Sequence, residues 1–270
     1  MAERVVSDLG AVPVAEVVVN KSYTFYGRSG TGKTTFAATF PGPILLLDAS
    51  DQGTDSISDQ DHVFVKKIDS WDDFELAYWY LMQHPDEYAT VVIDTVSQVQ
   101  NFALIKVLED KGKDSDNAGE WGVMSKRDWG QVASIMKEYI TRYRDLPVET
   151  IFIAQDRTFN IDDEADPETM IEPEIGPQLI PSVCKHLNAA VHVIGNTFIR
   201  TRYEQKKVRV KKGNKTQVKV KEQEVIEFCL RVGPNPVYIT KVRKPKTVKL
   251  PSVIVDPSYG DLQAIIKGEV

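Results

Sequence analysis

The sequence predicts an α/β fold in which a mainly parallel β-sheet is flanked by helices on both faces. Three observations lead to this prediction: short apolar runs typical of buried strands, segments of helical periodicity between them, and a glycine-rich loop that joins the first strand to the first helix. Strands that alternate with helices need crossover connections, and crossovers produce parallel neighbours with helices on the two faces of the sheet.

The strands are predicted from composition. Residues 22–26, SYTFY, are β-branched and aromatic, which favours a buried strand, and the glycine-rich loop follows directly. The first helix is expected to begin at Lys33 and to stop before Pro41. Four further strands are predicted at residues 43–48, 62–68, 90–94 and 150–155.

Two longer segments are predicted to be helices. Residues 71–84 and residues 129–144 each place apolar side chains on one face at helical spacing. Beyond about residue 189 the pattern turns β-rich, which we interpret as an extension of the same sheet, and residues 260–270 are expected to contain a short helix.

Length and composition favour one soluble domain. A chain of 270 residues, 42% hydrophobic and 27% charged, is interpreted as one domain over residues 1–270, with a core at about 18–200 and a β-rich extension at about 200–255. Two cysteines are too few for a disulfide framework, and no apolar run reaches the length of a membrane span, so a cytoplasmic location without membrane contact is expected. The net charge of −6 means that any DNA contact must come from a local basic patch.

The glycine-rich loop carries the strongest functional signal. Its sequence, GRSGTGKTT, satisfies G-x-x-x-x-G-K-[ST], in which Lys33 reaches the β- and γ-phosphates of a nucleotide and the Thr34 hydroxyl holds Mg²⁺. The strand, loop and helix together direct backbone N–H groups at a phosphate. A strand–helix turn without a ligand is the alternative. The predicted nucleotide-binding residues are Gly27, Arg28, Ser29, Gly30, Thr31, Gly32, Lys33, Thr34 and Thr35.

Polar residues follow three of the predicted strands. Asp48, Asp94 and Gln155 fall at the carboxyl ends of strands, where parallel sheets bind ligands. Asp94 is predicted to be the second Mg²⁺ anchor, directly or through water, although an Asp here can also cap the next helix. Gln155 is predicted to sense the γ-phosphate, with a solvated amide as an equally strong alternative.

A resemblance to a known family rests on the glycine-rich loop, on the strands that lead to Asp48, Asp94 and Gln155, and on the segments DWGQV and YITKVRKPKTVKLP. Together they resemble the phage-encoded, single-domain RecA-like ATPases described as single-strand annealing recombination proteins. The resemblance extends from about Lys21 to Leu262. It implies a RecA-like core that binds ATP and Mg²⁺, with the strand before Gln155 lying between the loop strand and the strand of Asp94. It also implies single-stranded DNA as a ligand, a homo-oligomer (ring or filament) with an intersubunit ATP site, a single-strand DNA-binding protein as a further partner, and the host cytoplasm as location.

The resemblance also bears on the general base for hydrolysis. RecA-like proteins place a catalytic glutamate just past the strand that is equivalent to ILLLD, in the pattern D-x-E. Here that position holds Ser50, and the nearest carboxylate is Asp51, one residue later and one methylene shorter than Glu. Asp51 is therefore the candidate general base, and slow hydrolysis is expected.

A pair of cations completes the predicted catalytic set. RecA-like proteins use a K-x-R or K-x-K pair near the end of the core to complete the ATP site of a neighbouring subunit, and ITKVRKPK supplies Lys241 and Arg243. Such cations stabilise charge on the transferring phosphoryl group. A solvated edge strand protected by lysine is the alternative. With Lys33, Asp51 and Gln155, they are the predicted catalytic residues.

A dense basic segment is the second local signal. Residues 206–221, KKVRVKKGNKTQVKVK, contain eight Lys or Arg and no acid, and valines alternate with polar residues around a Gly-Asn turn, which predicts a β-hairpin. The cations are predicted to contact the phosphates of single-stranded DNA; a solvated hairpin that resists aggregation is the alternative. The predicted DNA-binding residues are Lys206, Lys207, Arg209, Lys211, Lys212, Lys215, Lys219 and Lys221.

Two other segments are interpreted as loops. Residues 109–128 are polar and contain Trp121 as a candidate exposed aromatic residue. Residues 156–177 are strongly acidic and follow Gln155, so they are expected to contact a basic surface, such as the 206–221 hairpin of a neighbouring subunit, rather than DNA.

The favoured interpretation is a RecA-like ATPase that binds single-stranded DNA and promotes strand annealing in phage recombination, with Mg–ATP controlling conformation or assembly. A hexameric, helicase-like translocating motor is the alternative, disfavoured because no separate DNA-processing domain is evident. A P-loop kinase for a small molecule is a weaker alternative, because no Arg-rich lid follows the core strands.

Overall fold

The computed structural model describes residues 13, 20–49, 53–112, 124–159, 174–212 and 215–269. The strands are β1 (Ser22–Tyr26), β2 (Ile44–Asp48), β3 (Val63–Lys67), β4 (Thr90–Asp94), β5 (Glu149–Ala154), β6 (Asp156–Phe159), β7 (Glu174–Pro177), β8 (Val193–Lys212), β9 (Lys215–Arg231), β10 (Lys241–Val242) and β11 (Val253–Val255). The helices are α1 (Lys33–Ala37), α2 (Trp71–Gln83), α3 (Val96–Glu109), α4 (Lys126–Arg144), α5 (Pro181–Ala190) and α6 (Tyr259–Lys267).

One mixed sheet organises the described part of the chain. Its strand order is β11-β9-β8-β1-β5-β4-β2-β3, and β10 pairs with β8 beside this path. The strands from β8 to β3 pair in parallel, whereas β9, β10 and β11 are antiparallel to their neighbours. The predicted fold class, a mainly parallel sheet with a β-rich C-terminal extension, is confirmed.

The core is divided between the two faces of the sheet. Alternate residues of a buried strand point to opposite faces, and Leu45 and Leu47 pack with α2, α3, α4 and α5. Leu46 packs on the other face with Tyr23 and Phe25 of β1 and with α1 and α6. Helices therefore cover both faces, as predicted, and the carboxyl ends of the parallel strands are left as one open edge.

Some element boundaries differ from the sequence prediction. Helix α4 begins at Lys126 rather than residue 129, because Ser125 and Asp128 form a capping box that initiates the helix one turn earlier. The segment 156–177 is not a loop at its two ends, because β6 and β7 pair with each other in an antiparallel two-stranded sheet. Residues 160–173 and Trp121 lie outside the described residues.

The predicted basic hairpin is confirmed and is longer than expected. Strands β8 and β9 pair continuously from Asn196↔Arg231 to Lys212↔Lys215. The predicted Gly-Asn turn at residues 213–214 lies outside the described residues. Searched over the described segments, the helices are all too short or too polar to cross a bilayer.

Candidate nucleotide-binding site

The sheet order gathers the predicted site residues at one edge. Strand β5 lies between β1 and β4, with Tyr26 opposite Ala154 and Ile153 opposite Asp94. Strand β2 is next, with Asp48 opposite Asp94. The glycine-rich loop after β1, the residue after β5 and the last residues of β4 and β2 are therefore neighbours, which is the strand arrangement that the resemblance implied.

The geometry of the loop favours glycine at three positions, one of them Gly30, which has φ 77°. Gly32, which immediately precedes α1, has φ 80°, and this left-handed conformation favours glycine. A Cβ atom on Gly27 would lie 2.3 Å from the carbonyl oxygen of Thr197 on β8, so a side chain cannot fit there. The loop is further fixed by the Thr31 hydroxyl, which lies 2.7 Å from the Thr197 hydroxyl and donates to the Arg28 carbonyl at 2.8 Å.

The lysine of the motif lies within the loop. Lys33 is only 7% exposed, and its Nζ donates to the carbonyl oxygens of Gly27 at 2.9 Å and Arg28 at 2.8 Å. A buried ammonium group is costly unless hydrogen bonds satisfy it. The loop therefore holds a positive charge at its centre, at the position where the motif places phosphate oxygens.

The predicted Mg²⁺ anchors are in direct contact. The Thr34 hydroxyl donates to Oδ2 of Asp94 at 2.6 Å, and Asp94 is 7% exposed. The helix that follows β4 is capped by Thr95, whose side chain accepts from the Gln98 N–H at 3.2 Å, so capping does not explain Asp94. A hydroxyl and a carboxylate at this separation are oxygen ligands of the type that Mg²⁺ uses beside a phosphate.

A cleft of about 400 Å³ joins these groups, a volume typical of small-molecule sites. It brings the predicted residues Lys33, Thr34, Asp94 and Gln155 together. Of the loop, Ser29, Gly30, Gly32 and Thr35 also line it, whereas Gly27, Arg28 and Thr31 are not among its lining residues. The remaining lining residues are Leu46, Asp48, Gly53, Thr54, Ser56 and Phe228.

Several contributors were not assigned to the site from sequence, among them Asp48, Thr197 and Phe228. Asp48 ends an apolar run at the correct edge, and this position was its only signal. Thr197 and Phe228 lie on β8 and β9, far from the loop in sequence, and no local pattern distinguishes them. They reach the site because β8 pairs with β1 and β9 pairs with β8.

The candidate general base lies in a segment outside the described residues. Ser50, Asp51 and Gln52 form this segment, so the assignment of Asp51 stays a prediction. The described chain resumes at Gly53 in a short 3₁₀ turn, Gly53–Ile57, which borders the cleft.

The predicted cation pair does not lie at the cleft of its own chain. Lys241 pairs with Ile194 near the start of β8, at the opposite end of the sheet from the loop. Its Nζ donates to the carbonyls of Asn188 at 2.7 Å and Ala189 at 3.0 Å, and Arg243 donates to Ala189 at 2.8 Å. Both cations thus complement the C-terminal carbonyls of α5. Burial, with the neighbouring charge of Arg243, lowers the pKa of Lys241 to about 8. A role in the site of another subunit stays a prediction.

The predicted DNA-binding residues lie on the paired strands of the hairpin, for example Lys206 opposite Lys221. The Lys206 side chain is exposed. The other seven side chains of this set, those of Lys207, Arg209, Lys211, Lys212, Lys215, Lys219 and Lys221, lie outside the described part of the chain.

The base of the hairpin also carries cations, but these are paired. The buried Glu227 carboxylate accepts from Nε of Arg200 at 2.6 Å and Nε of Arg202 at 2.9 Å. Nearer the core, the Arg231 guanidinium lies 3.9 Å from the ring centre of Tyr238.

At the level of the family, the chain matches known proteins. A family model described as an AAA domain (AAA_24) matches residues 19–241, and the chain belongs to that family. It is an AAA-type P-loop ATPase domain. Among solved structures, a KaiC-like protein of the hyperthermophilic archaeon Pyrococcus horikoshii OT3 is similar over 88% of this chain and 90% of its own, at 13% identity and a TM-score of 0.39. No curated protein sequence matches the chain.

Proposed function

We propose that the protein is an oligomeric Mg–ATP-dependent ATPase that binds single-stranded DNA and promotes strand annealing in phage recombination, in the cytoplasm of the host. The observation that best supports nucleotide chemistry is the 2.6 Å contact between the Thr34 hydroxyl and the Asp94 carboxylate, beside the buried Lys33. The annealing step and the phage setting rest on the resemblance of the sequence segments.

The residues of the cleft fit Mg–ATP. Lys33 would exchange its contacts with loop carbonyls for the β- and γ-phosphate oxygens, and Thr34 and Asp94 would hold Mg²⁺. When bound, Mg²⁺ supplies positive charge that neutralises the phosphate oxygens. Gln155 lines the same cleft, and its amide would donate to the γ-phosphate. Asp51 is the residue proposed to orient and deprotonate the attacking water.

Gln155 also connects the cleft to the opposite side of the molecule. Its carbonyl accepts from the Gln178 N–H at 2.7 Å, just after β7. Within β7, the Ile175 N–H donates to the Val237 carbonyl at 2.7 Å, and Ile175 in turn accepts from the Ile239 N–H at 2.9 Å. Lys241, the first residue of β10, follows Ile239 by two residues. These backbone hydrogen bonds, joined by the covalent chain of β7 and of residues 239–241, connect Gln155 with the segment that carries the cation pair.

The first test concerns the cation pair. We expect the double variant K241A/R243A to bind ATP normally and to hydrolyse it roughly 100-fold more slowly, because charges delivered to the transferring phosphoryl group act mainly in the transition state. The measurement is ATP affinity and turnover per subunit. The matched control is K246A/K249A, which removes two exposed cations from the same segment.

A mixing experiment distinguishes two explanations for slow hydrolysis in K241A/R243A. Either the cations act in the ATP site of a neighbouring subunit, or their loss only disturbs the end of α5. If each site combines Lys33 of one subunit with the cations of the next, a mixture of K33A and K241A/R243A proteins regains turnover that neither has alone. Unchanged turnover in K241A/R243A, or no recovery on mixing two well-folded variants, would remove the intersubunit role.

The second test concerns DNA. Replacing Lys211, Lys212, Lys215 and Lys219 by glutamine is expected to weaken single-stranded DNA binding and to lower the slope of log affinity against log salt by up to about 3, at roughly 0.7 per phosphate contact. ATP binding should not change. The control removes four exposed lysines elsewhere, Lys66, Lys67, Lys246 and Lys249. If the hairpin variant and the control variant had the same affinity for single-stranded DNA and the same salt slope, the assignment of the hairpin would be contradicted.

The reaction itself is tested with complementary oligonucleotides. Turnover should rise with single-stranded DNA and with protein concentration, and the wild type should accelerate annealing of the two strands. ATP-driven displacement of a strand from a duplex, without faster annealing, would instead identify a translocating motor.

A further inference from the structure

A second depression lies beside the phosphate cleft, on the other side of Phe228. It has a volume of about 260 Å³ and shares Gly32, Thr35 and Phe228 with the phosphate cleft, so the two spaces are contiguous around the end of the loop. Its other lining residues are Thr31, Phe36, Thr39, Thr197, Cys229, Asp256 and Pro257. The depression is thus formed by one side of α1 and by the C-terminal extension.

Phe228 is the most prominent side chain in this depression. Its ring lies against the loop, where a Cβ atom on Gly32 would approach Cδ1 of the ring to 3.3 Å. The side chain nevertheless remains 42% exposed, although it is a large aromatic residue beside two cavities. A half-exposed ring at this place is available for contact with a bound ligand.

The wall opposite the loop is held by specific contacts. The Asp256 N–H donates to the Phe228 carbonyl at 2.7 Å, just after β11 pairs with β9 at Val255↔Cys229. Asp256 has φ 45°, a conformation that Asp tolerates better than most residues. The Tyr259 N–H donates to the Thr39 hydroxyl at 2.9 Å, which ties the segment after Asp256 to the end of α1. The depression is therefore built from packed elements.

The order of phosphates, sugar and base along a nucleotide indicates which group would occupy the depression. With the β- and γ-phosphates at Lys33, Thr34 and Asp94, the rest of the nucleotide would extend past the next residue, Thr35, which lines both the cleft and the depression. The depression begins at Thr35. We infer that it is the nucleobase pocket of the triphosphate site, and that it takes a base carrying an exocyclic amino group, preferably a purine, stacked on Phe228. This inference rests on the proposed nucleotide binding and extends it to the base.

The chemistry of the lining agrees with such a ligand. A base presents flat π-faces, which stack on aromatic rings, and a polar edge, and here Phe228 supplies the ring. The Asp256 carboxylate can accept from an exocyclic amino group of a base. The depression on the other side of α1 also borders the cleft at Thr35 and Ser56, but its described lining residues include no Phe, Tyr or Trp, so it offers no such ring for stacking. Phe228 also belongs to the strand that continues into the basic hairpin, so an occupied pocket would contact that strand directly.

The experiment compares ligands with and without a base. In the presence of Mg²⁺, the affinities of ATP, GTP, UTP and inorganic tripolyphosphate are measured for the full chain and for F228A, F228W, D256N and the control Q60A. We expect F228A to bind ATP roughly 10-fold more weakly, the loss of one stacked base, and tripolyphosphate as well as the wild type does. F228W should retain ATP affinity, and Q60A should behave as wild type. D256N should weaken the binding of ATP and GTP but not of UTP, because an amide oxygen is a weaker acceptor than a carboxylate.

A fluorescence measurement reports stacking directly. The triphosphate of 2-aminopurine riboside should be quenched on binding to the wild type and F228W, and much less on binding to F228A. Three results would each overturn the inference. F228A could bind ATP as tightly as the wild type, it could lose affinity for ATP and tripolyphosphate equally, or the wild type could bind UTP as tightly as ATP. If the wild type binds tripolyphosphate and ATP equally well, the loop functions and the base pocket is wrong. If it binds neither, the proposed function fails as well.

Discussion

Replacing Lys33 by alanine is expected to abolish ATP hydrolysis and to weaken ATP binding by about 100-fold. Lys33 is 7% exposed, and its ammonium group is held by two loop carbonyls at the centre of the predicted phosphate site. Charge-assisted hydrogen bonds contribute roughly 1.5–3 kcal/mol each, and about 1.4 kcal/mol corresponds to a tenfold change in affinity. The loss of its contacts to the phosphates therefore accounts for the expected effect.

Equilibrium titration with ATP and single-turnover hydrolysis measure this result. The control variant K67A removes a lysine whose side chain is 70% exposed on the edge strand β3, and should leave both quantities unchanged. Thermal unfolding should be measured for K33A as well, so that a loss of ATP affinity in a folded protein can be assigned to the phosphate site. A folded K33A protein with wild-type ATP affinity would contradict the assignment of the loop, and with it the proposed function.

Replacing Asp94 by asparagine is expected to remove the dependence of ATP binding on Mg²⁺ and to slow hydrolysis by roughly 100-fold or more. Asparagine keeps the shape of the side chain and can still accept from the Thr34 hydroxyl, so the contact at 2.6 Å has a substitute. What is lost is the negative charge that would face the proposed Mg²⁺. The two predictions differ, because K33A should weaken ATP at every Mg²⁺ concentration and D94N only where Mg²⁺ is bound.

The measurement for D94N is ATP affinity over a series of Mg²⁺ concentrations, including excess chelator. Wild-type affinity should fall when Mg²⁺ is removed, whereas D94N should show one low affinity throughout. D72N is the matched control, since Asp72 has a side chain that is 72% exposed on α2 and lies away from the cleft. Retention of the full Mg²⁺ effect in D94N would show that another group anchors the cation.

The parts of the site that sequence predicts well are local. The loop from Gly27 to Thr35 specifies its own conformation, since glycine positions, lysine and hydroxyl are a few residues apart. Asp94 and Gln155 were also predicted, because each follows a short apolar strand and parallel strands align their carboxyl ends. Helix α4 shows where this approach loses accuracy, because its capping box extends it beyond the apolar stripe.

The segment 156–177 shows a second limit. Its acidic composition suggested a loop, yet its ends form β6 and β7, because backbone pairing is specified by the partner strand as well as by local composition. Lys241 and Arg243 are a similar case. Their spacing identified a candidate pair, but the contacts with the last carbonyls of α5 depend on how β10 joins the sheet.

The chain order of residues was sufficient to predict the class of fold, a candidate phosphate-binding loop and its candidate metal anchor, because each depends on periodicity or spacing within a short segment. The identity of the groups that surround the loop depended on the strand order. Thr197 supports the loop and Phe228 borders it because β8 and β9 extend the sheet beside β1, and Asp256 joins them through β11. Pairings between distant strands arise from the packing of the whole sheet, and no short stretch of sequence encodes them.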